Sequence, residues 1–504
     1  MDEAFIAVGE FGFYQKKLMI CVFFSILFVT AYSSFFPYLT KTPNISITFL
    51  SNNTVINGKY DEKYCDSKLY KITPILENSL ENWSYKFNFI CNDIKYNSYI
   101  SLSYFCAATF ANWAFASIPD KYGRKTIFII LMILSCFCYI NLYFAVNGTH
   151  LVFIHILGGL SAFILGMSFY ILQEFMPKNK SDSIIGIGNS FYPLSGMMFS
   201  IYFLFYNNWK YLFLILMIIH IITTILICMT FQESPRWLNA CGKKQEAINV
   251  FKYIAKQNNR LKEWEEFLNK NNDKFLNKEK SDNEKEKRNN KNSHSHSFFE
   301  IMSYSSQRNK ILLHAYIWFA FSYCFFGIIL NLGNMKGNFF SNSFLAFLGE
   351  MISEIASGYI AQYLGRVQPM KLSFFSGSIF MIIKYFVNDY LSAICLSIGM
   401  FSYAMGSSII SIYSSESFPT VIRGLVCSYF LIVDKVAPIP VVPLSQLVRN
   451  DITNLIFIIV GIIGGISCFF IEETLGKKLE DEIPEVIEKE KEKELEQFGE
   501  RCNE

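Results

Sequence analysis

The chain has 504 residues, of which 52% are hydrophobic and 17% are charged, and phenylalanine alone accounts for 51 of them. A soluble chain of this length needs more charged surface, so the composition excludes an ordinary soluble protein and indicates a membrane protein. The formal net charge of +3 is uninformative in total, and we expect no nucleic-acid partner.

In chain order, apolar runs of about 20 residues recur along the sequence, and each is long enough to cross a hydrocarbon core. The runs are 17–39, 96–118, 126–146, 151–175, 184–206, 211–231, 311–332, 339–363, 372–388, 391–413, 424–447 and 453–471. We therefore predict an all-α membrane protein with twelve transmembrane helices in two six-helix bundles.

The segments between the runs define the predicted domains. They are an N-terminal bundle at 1–232 with an extracellular loop at 40–95, a cytoplasmic linker at 233–310, a C-terminal bundle at 311–471 and a cytoplasmic tail at 472–504. The linker is rich in Asn, Lys, Glu and Ser over 257–297, and low hydrophobicity there predicts disorder.

Two short cationic turns interrupt the apolar runs. The first is Pro-Asp-Lys-Tyr-Gly-Arg-Lys at 119–125, and the second, Gly365-Arg366, follows about 240 residues later. A turn repeated at half the chain length indicates a duplicated membrane protein whose halves rock against each other. Such turns help to hold one conformation shut, so they favour transport by alternating access.

The placement of Lys and Arg predicts the orientation. Both turns, the residues before the first run and the linker carry positive charge on one side, which should be cytoplasmic together with both termini. Four glycosylation sequons fall on the opposite side, at Asn44, Asn52, Asn82 and Asn147. Cys65 and Cys91 lie there too, and whether they form a disulfide stays open.

Several short motifs carry a family resemblance. They are 8–16 (VGEFGFYQK), 119–125, 233–238 (ESPRWL), 318–319 (WF), 416–423 (ESFPTVIR) and 473–476 (ETLG). Together they resemble the major facilitator superfamily of transporters, and within it the organic-ion solute-carrier family, nearly end to end. Two positions depart from the family pattern: Lys121 replaces the usual arginine, and Gln362 stands where the second turn would carry an acid.

The resemblance implies a cytoplasmic charge network that stabilises the outward-open state and breaks when the inside opens. The candidate members are Asp120, Gly123, Arg124, Glu174, Glu233, Arg236, Glu416 and Arg423. Independently of the family, Asp120 can accept from a helix amino terminus or from an arginine across the seam between the halves, Gly123 permits a tight reversal, and Arg124 offers a planar fork. The alternative is that these turns only anchor the topology.

Candidate substrate contacts are ionisable and aromatic residues inside the runs, where charged groups are costly and usually face a cavity. They are Trp318, Tyr323, Phe325, Glu350, Glu354, Asp434 and Lys435. Glu350 and Glu354 are one helical turn apart and share a face. Aromatic rings attract cations through their faces, so Trp318, Tyr323 and Phe325 suit a cationic substrate.

Asp434 and Lys435 leave the sign of the substrate open. The resemblance implies aspartate at this place in cation-transporting relatives and arginine in anion-transporting ones. Counting from Arg423 without a gap aligns Lys435, whereas one deletion aligns Asp434. Adjacent residues on a helix point about 100° apart, so one of the two should face the substrate.

We expect a carrier of small organic ions, organic cations first, working by alternating access as a monomer in the lipid bilayer of the plasma membrane. An organic-anion or carboxylate transporter is the close alternative, and a transporter-like receptor that binds its ligand without moving it is the distant one. No catalytic triad or phosphate loop pattern occurs, so we expect no enzyme, no cofactor and no metal site.

Overall fold

The computed structural model describes residues 2–41, 44–51, 53–58, 69–75, 80–87, 89, 95–176, 178–276, 298–334, 338–448 and 450–476. Cys65, Cys91 and the sequon residue Asn52 lie outside these residues.

The described elements up to residue 276 are mostly helical, with a short sheet after the first span. They are α1 (Asp2–Ala7), α2 (Phe13–Ser34), α3 (Phe36–Leu39), β1 (Ile45–Phe49), β2 (Val55–Gly58), β3 (Tyr70–Pro74), α4 (Trp83–Lys86), α5 (Lys95–Phe115), α6 (Ile118–Tyr122), α7 (Arg124–Tyr143), α8 (Gly148–Ser161), α9 (Ile164–Glu174), α10 (Lys178–Asn189), α11 (Phe191–Phe205), α12 (Trp209–Thr230), α13 (Pro235–Ala240), α14 (Lys244–Gln257) and α15 (Leu261–Leu276).

The described elements from residue 298 onward are helices. They are α16 (Phe298–Ser303), α17 (Ser305–Asn331), a 3₁₀ turn (Leu332–Asn334), α18 (Phe339–Leu364), α19 (Val367–Ile383), α20 (Asp389–Ser417), α21 (Thr420–Val436), α22 (Pro438–Leu447) and α23 (Asn450–Ser467).

Each of the twelve predicted spans coincides with one helix or with two consecutive helices, which confirms the all-α membrane fold. Among the described residues, eight helical stretches are long and apolar enough to cross a bilayer by length and composition: Phe13–Leu39, Arg124–Tyr143, Gly148–Glu174, Trp209–Thr230, Gln307–Asn331, Phe339–Leu364, Asp389–Ser417 and Ile422–Ser445. Two shorter apolar helices are Val367–Ile383 and Asp451–Ser467. The remaining two spans, α5 and α10–α11, carry more polar residues.

Successive spans alternate in direction, so the bundle has two ends. We call the end with the turns at 119–125 and 365–366 the turn side, and the end with residues 40–95 the loop side. Asparagines begin helices on the loop side because a side-chain oxygen can accept from an unpaired backbone N–H in the first turn. Asn147 caps α8 through the N–H of His150 at 2.8 Å, and Asn388 caps α20 through that of Leu391 at 2.9 Å.

The loop after the first span contains a three-stranded antiparallel sheet in the order β2-β1-β3, which the sequence did not predict. Ile45 and Ile47 lie on the same face of β1, where Phe49, Tyr70 and Ile72 pack against them. This period-two burial gives the strands their own small apolar core, separate from the helices.

The linker begins with ordered helices, although the sequence predicted disorder from residue 257. Phe251 of α14 packs against Phe5 of α1 at 5.1 Å between ring centroids and against Trp264 of α15 at 5.2 Å. All three rings are fully buried. Apolar residues at positions 261, 264, 267 and 268 share one face of α15, and that face explains the helix inside a polar segment.

Asn258 joins the amino-terminal segment to this linker. Its amide nitrogen donates to the carbonyl of Val8 at 2.8 Å and to Gln15 Oε1 at 2.9 Å, and its Oδ1 accepts from the backbone N–H of Tyr14 at 2.8 Å. A Cβ atom at Gly12 would lie 2.2 Å from the Asn258 side chain, so glycine is required for the approach. The VGEFGFYQK motif therefore wraps around one asparagine.

The two halves meet along α5 against α21 and α22, and along α11 against α18. These are the second span against the eleventh and the fifth against the eighth, as a duplicated bundle requires. Near the loop side the ring centroids of Tyr38 and Phe339 are 5.0 Å apart, and deeper in the seam those of Phe105 and Phe326 are 5.2 Å apart.

Candidate functional site

A charge network in the first half surrounds the turn at 119–125. Arg124 Nε donates to the two carboxylate oxygens of Glu174 at 3.0 and 3.2 Å, and Nη1 lies 2.8 Å from Asp120 Oδ1. Glu233 Oε1 accepts from the backbone N–H groups of Arg124 and Lys125 at 2.9 and 3.2 Å. Glu233 thus sits at the first turn of α7, where the helix dipole favours a negative charge.

The second half contains the same arrangement. Arg366 forms a two-pronged pair with Glu416, Nε to Oε2 at 2.9 Å and Nη2 to Oε1 at 2.7 Å. Glu473 accepts from the backbone N–H of Arg366 at 2.9 Å and from that of Val367 at 3.0 Å, at the start of α19. Burial acts to raise the pKa of Glu473, but four backbone hydrogen bonds outweigh it and hold that pKa below its usual value.

The two networks correspond position by position. Arg124 and Glu174 are 50 residues apart, as are Arg366 and Glu416. Arg124 donates to the carbonyl of the residue five positions before it, and Arg366 does the same. The two networks differ at the position four residues before the arginine, where the first half has Asp120 and the second half has Gln362.

Glycine is needed in both turns. Gly123 has φ +96° and Gly365 has φ +81°, values that side-chain-bearing residues rarely adopt. A Cβ atom would lie 2.3 Å from Glu233 Oε2 at Gly123 and 2.6 Å from Glu473 Oε2 at Gly365. Each glycine therefore lets a carboxylate reach the backbone at the start of the next helix.

The structure distributes the predicted gating residues between these networks and other contacts. Asp120 pairs with Arg124 in its own half, and Glu416 pairs with Arg366. Arg236 donates to the carbonyl of Met176 at 2.9 Å, and Arg423 Nε donates to the carbonyl of Phe418 at 3.3 Å.

Two network residues were missing from the predicted gating set, Arg366 and Glu473. Both stand in motifs that the sequence singled out, the second turn and the ETLG segment. Once the structure has paired Arg124 with Glu174, the equal 50-residue spacing identifies Glu416 as the corresponding partner of Arg366.

A second candidate site lies at mid-depth in the seam. Glu350 is 11 residues after the start of α18 and 14 before its end. It is 2% exposed, and its Oε2 has no hydrogen-bond partner. Glu354, one turn further, accepts from the Ser408 hydroxyl at 2.8 Å and lies within hydrogen-bonding reach of the Asn189 side chain. Asn189 belongs to the first half, so this pair of acids faces the seam.

Tyr192 of α11 completes this site from the first half. Its hydroxyl accepts from Ser33 at 3.1 Å, and its ring centroid is 6.1 Å from that of Phe325 across the seam. It also lies close enough to Glu350 and Asp434 to interact electrostatically with both. Sequence reasoning missed Tyr192, Asn189 and Ser33, because single polar residues in apolar runs give no distinguishing signal.

Asp434 and Lys435 pair with each other. Lys435 Nζ lies 2.7 Å from Asp434 Oδ2, and the two side chains are 22% and 16% exposed, lysine first. The backbone carbonyl of Asp434 accepts from the Ser322 hydroxyl at 2.8 Å. Because the ammonium and carboxylate neutralise each other, the pair contributes little net charge to the seam.

The predicted aromatic residues divide into two groups. Phe325 is partly exposed and faces Tyr192, as described. Trp318 donates to Ser414 at 2.8 Å, and Tyr323 packs edge-on against Phe457 with centroids 5.4 Å apart. Those contacts of Trp318 and Tyr323 lie within the second half.

Within the part of the chain that the structure describes, no group of three or more His, Cys, Asp or Glu side chains is arranged to hold a metal ion.

A duplicated twelve-span helical bundle, with matching charge networks at one end and a polar centre in the seam, is the architecture of a membrane transporter. Residues 18–442 match the family model of the Major Facilitator Superfamily, and the chain belongs to that superfamily. Family and fold are those of multi-pass transporters of small molecules, not of enzymes.

Two curated relatives and one solved structure illustrate the likeness. The chain is 23% identical to a "Solute carrier family 22 member 15-like" protein of Xenopus laevis, with 96% of each chain covered. It is 24% identical to "Organic cation/carnitine transporter 4" of Arabidopsis thaliana, over 78% of this chain and 74% of that one. A partially occluded inward-open structure of the xylose transporter XylE from E. coli superposes with a TM-score of 0.63 at 12% identity, covering 92% of this chain and 100% of that chain.

Proposed function

We propose that this transporter carries small organic cations across the membrane by alternating access. The observation that carries the proposal is the unpaired carboxylate of Glu350 next to Glu354 at mid-depth in the seam. A buried negative charge without a partner is unfavourable, so a cationic ligand gains where a neutral or anionic one does not. The name of the Arabidopsis thaliana relative, an organic cation/carnitine transporter, agrees with a substrate of this kind.

The substrate would be held between the two halves. Tyr192 and Phe325 bring aromatic rings from opposite halves together, tilted by 53° to each other with centroids 6.1 Å apart. Aromatic rings suit a quaternary or flat cation because their faces attract positive charge. Glu350 and Glu354 supply the countercharge, and the Asp434–Lys435 pair lines the site as a dipole with little net charge. Trp318 and Tyr323 support the position of α17 through their packing.

The charge networks would control access from the turn side. Arg124 with Glu174 and Glu233, and Arg366 with Glu416 and Glu473, each tie the ends of three spans in one half. We propose that they keep each half rigid while the halves rock, and that Asp120 contributes through Arg124. Arg236 and Arg423, which donate to backbone carbonyls near these networks, position the adjoining segments.

We further propose that the turn side is cytoplasmic, that the protein acts as a monomer, and that it resides in the plasma membrane. Asn147 is exposed on the loop side and can accept a glycan, whereas Asn82 is 1% exposed and donates to the carbonyls of Tyr38 and Lys41. The expected result is a glycosidase-sensitive mobility shift that Asn147→Gln reduces and Asn82→Gln leaves unchanged. A shift that depends on Asn82 would contradict this assignment.

Uptake of labelled tetraethylammonium and of labelled benzoate by cells that express the protein tests the proposed substrate class. We expect saturable uptake of the cation and a loss of at least tenfold in Glu350→Gln, because the countercharge is gone. Glu246→Gln is the matched control, since Glu246 is an exposed acid on the linker helix α14. Saturable benzoate uptake without cation uptake would replace the proposal with an anion carrier.

Asp434→Asn is a second test of whether the substrate is a cation or an anion. The substitution removes the carboxylate that lies 2.7 Å from Lys435 and so leaves the ammonium uncompensated in the seam. We expect weaker tetraethylammonium uptake and stronger benzoate uptake than in the wild type. Unchanged uptake of both compounds would place the pair outside the substrate path.

A further inference from the structure

The two glutamates of the substrate site are a pair of acids with no countercharge of their own. Glu350 is nearly fully buried, and one of its carboxylate oxygens has no hydrogen-bond partner. Glu354 lies one turn away on the same face of α18, where side chains are about 5–6 Å apart at the Cβ atoms. Two negative charges at this separation in a dry environment repel strongly.

The surrounding helices supply polar groups but no free cation among the described residues. Tyr192 comes from α11, Asn189 from α10 and Ser408 from α20. The nearest charged groups on α21 are Asp434 and Lys435, and Lys435 is held by Asp434 at 2.7 Å. The pair of glutamates therefore has to obtain positive charge from outside the protein.

We propose that a proton supplies this charge when no substrate is bound, so that the carrier exchanges one organic cation for one proton. This inference rests on the proposed function, because it concerns the same site. A cation that enters the site replaces the proton, which leaves to the aqueous side that the site faces. After the halves rock, the cation leaves on the other side and a proton from that side takes its place. Each cycle moves one positive charge each way.

The continuous helix argues for a proton rather than a sodium ion. Sodium sites in transporters use backbone carbonyls of unwound spans, together with side-chain oxygens. Glu350 and Glu354 both lie inside α18, which is helical without interruption from Phe339 to Leu364. Its carbonyls in that region are engaged in the helix, so the site offers few free oxygens.

The first test needs no substrate. Infrared spectra of the purified full-length protein at pH 7 should contain the carbonyl stretch of a neutral carboxylic acid. We expect this band to disappear in the double variant Glu350→Gln/Glu354→Gln and to persist in Glu246→Gln. If the spectra of the wild type and the double variant do not differ in this band, the proton site does not exist. A monodisperse chromatographic peak checks that each variant is folded.

The second test measures exchange in proteoliposomes held at zero membrane potential, with labelled tetraethylammonium, which carries no proton of its own. An interior one pH unit more acidic should raise equilibrium accumulation of the cation about tenfold. A trapped pH dye should report an alkaline shift as the cation enters.

The outcomes distinguish the proposed proton exchange from the proposed transport of organic cations. Tetraethylammonium counterflow that does not respond to the pH gradient, or that responds to a sodium gradient instead, would overturn the exchange of protons but leave the cation carrier intact. Absence of counterflow would remove both.

Discussion

Gly123→Ala should destabilise the protein far more than alanine at an unobstructed glycine. Gly123 has φ +96° and ψ 154°, a region almost restricted to glycine, so alanine costs about 1–3 kcal/mol in backbone strain. Its Cβ would lie 2.3 Å from Glu233 Oε2 and push the carboxylate off the N–H groups of Arg124 and Lys125. Losing one hydrogen bond to a charged group adds about 1.5–3 kcal/mol to that cost.

The matched control is Gly242→Ala. Gly242 also has a positive φ, +76°, but a Cβ atom there would have no neighbour within 4 Å, so only backbone strain of about 1–2 kcal/mol remains. Thermal unfolding of the purified protein in detergent should show at least a twofold larger loss of Tm for Gly123→Ala. Gly365→Ala should resemble Gly123→Ala, because its Cβ would meet Glu473 Oε2 at 2.6 Å. Equal losses at Gly123 and Gly242 would refute the claim that the carboxylate requires the glycine.

Three further predictions concern the turn side. Arg366→Lys keeps the charge but loses the two-pronged pairing with its glutamate, so the transport rate should fall about tenfold. Arg260→Lys, at an exposed 3.8 Å contact, is the control and should transport normally. Equal transport rates in the two variants would contradict the proposal that this network keeps its half rigid during transport. Asn258→Ala should lower Tm and speed proteolysis of the amino-terminal segment, because three hydrogen bonds worth about 1 kcal/mol each are lost. The control is Asn269→Ala, at an exposed position. Unchanged proteolysis would show that other contacts hold the segment. Glu473→Gln should lower Tm at pH 7. Because the folded-state pKa of Glu473 is depressed, this difference should start to shrink as the pH falls below about 4.5 and vanish once the pH is below the folded-state pKa. A difference that grows in acid would contradict the hydrogen-bonding account.

The sequence alone was sufficient for the twelve spans, the duplication and the family. A run of about 20 apolar residues has one common structural solution in a bilayer, because every backbone hydrogen bond must be made inside the helix. The turns at 119–125 and 365–366 were equally readable, since charge and glycine next to an apolar run leave few conformations. The same local rules missed the β1–β3 sheet, whose short strands gain stability only from each other.

Only the tertiary structure decided which charges meet. Arg366 and Glu416 are 50 residues apart, and Asp434 and Lys435 are adjacent, yet both form close ion pairs. Tyr192 joins Phe325 and Glu350 from the opposite half of the chain. Spacing along a helix determines which side chains share a face, but the partner on the facing helix depends on how the two bundles are packed, and no local pattern in the chain encodes that arrangement.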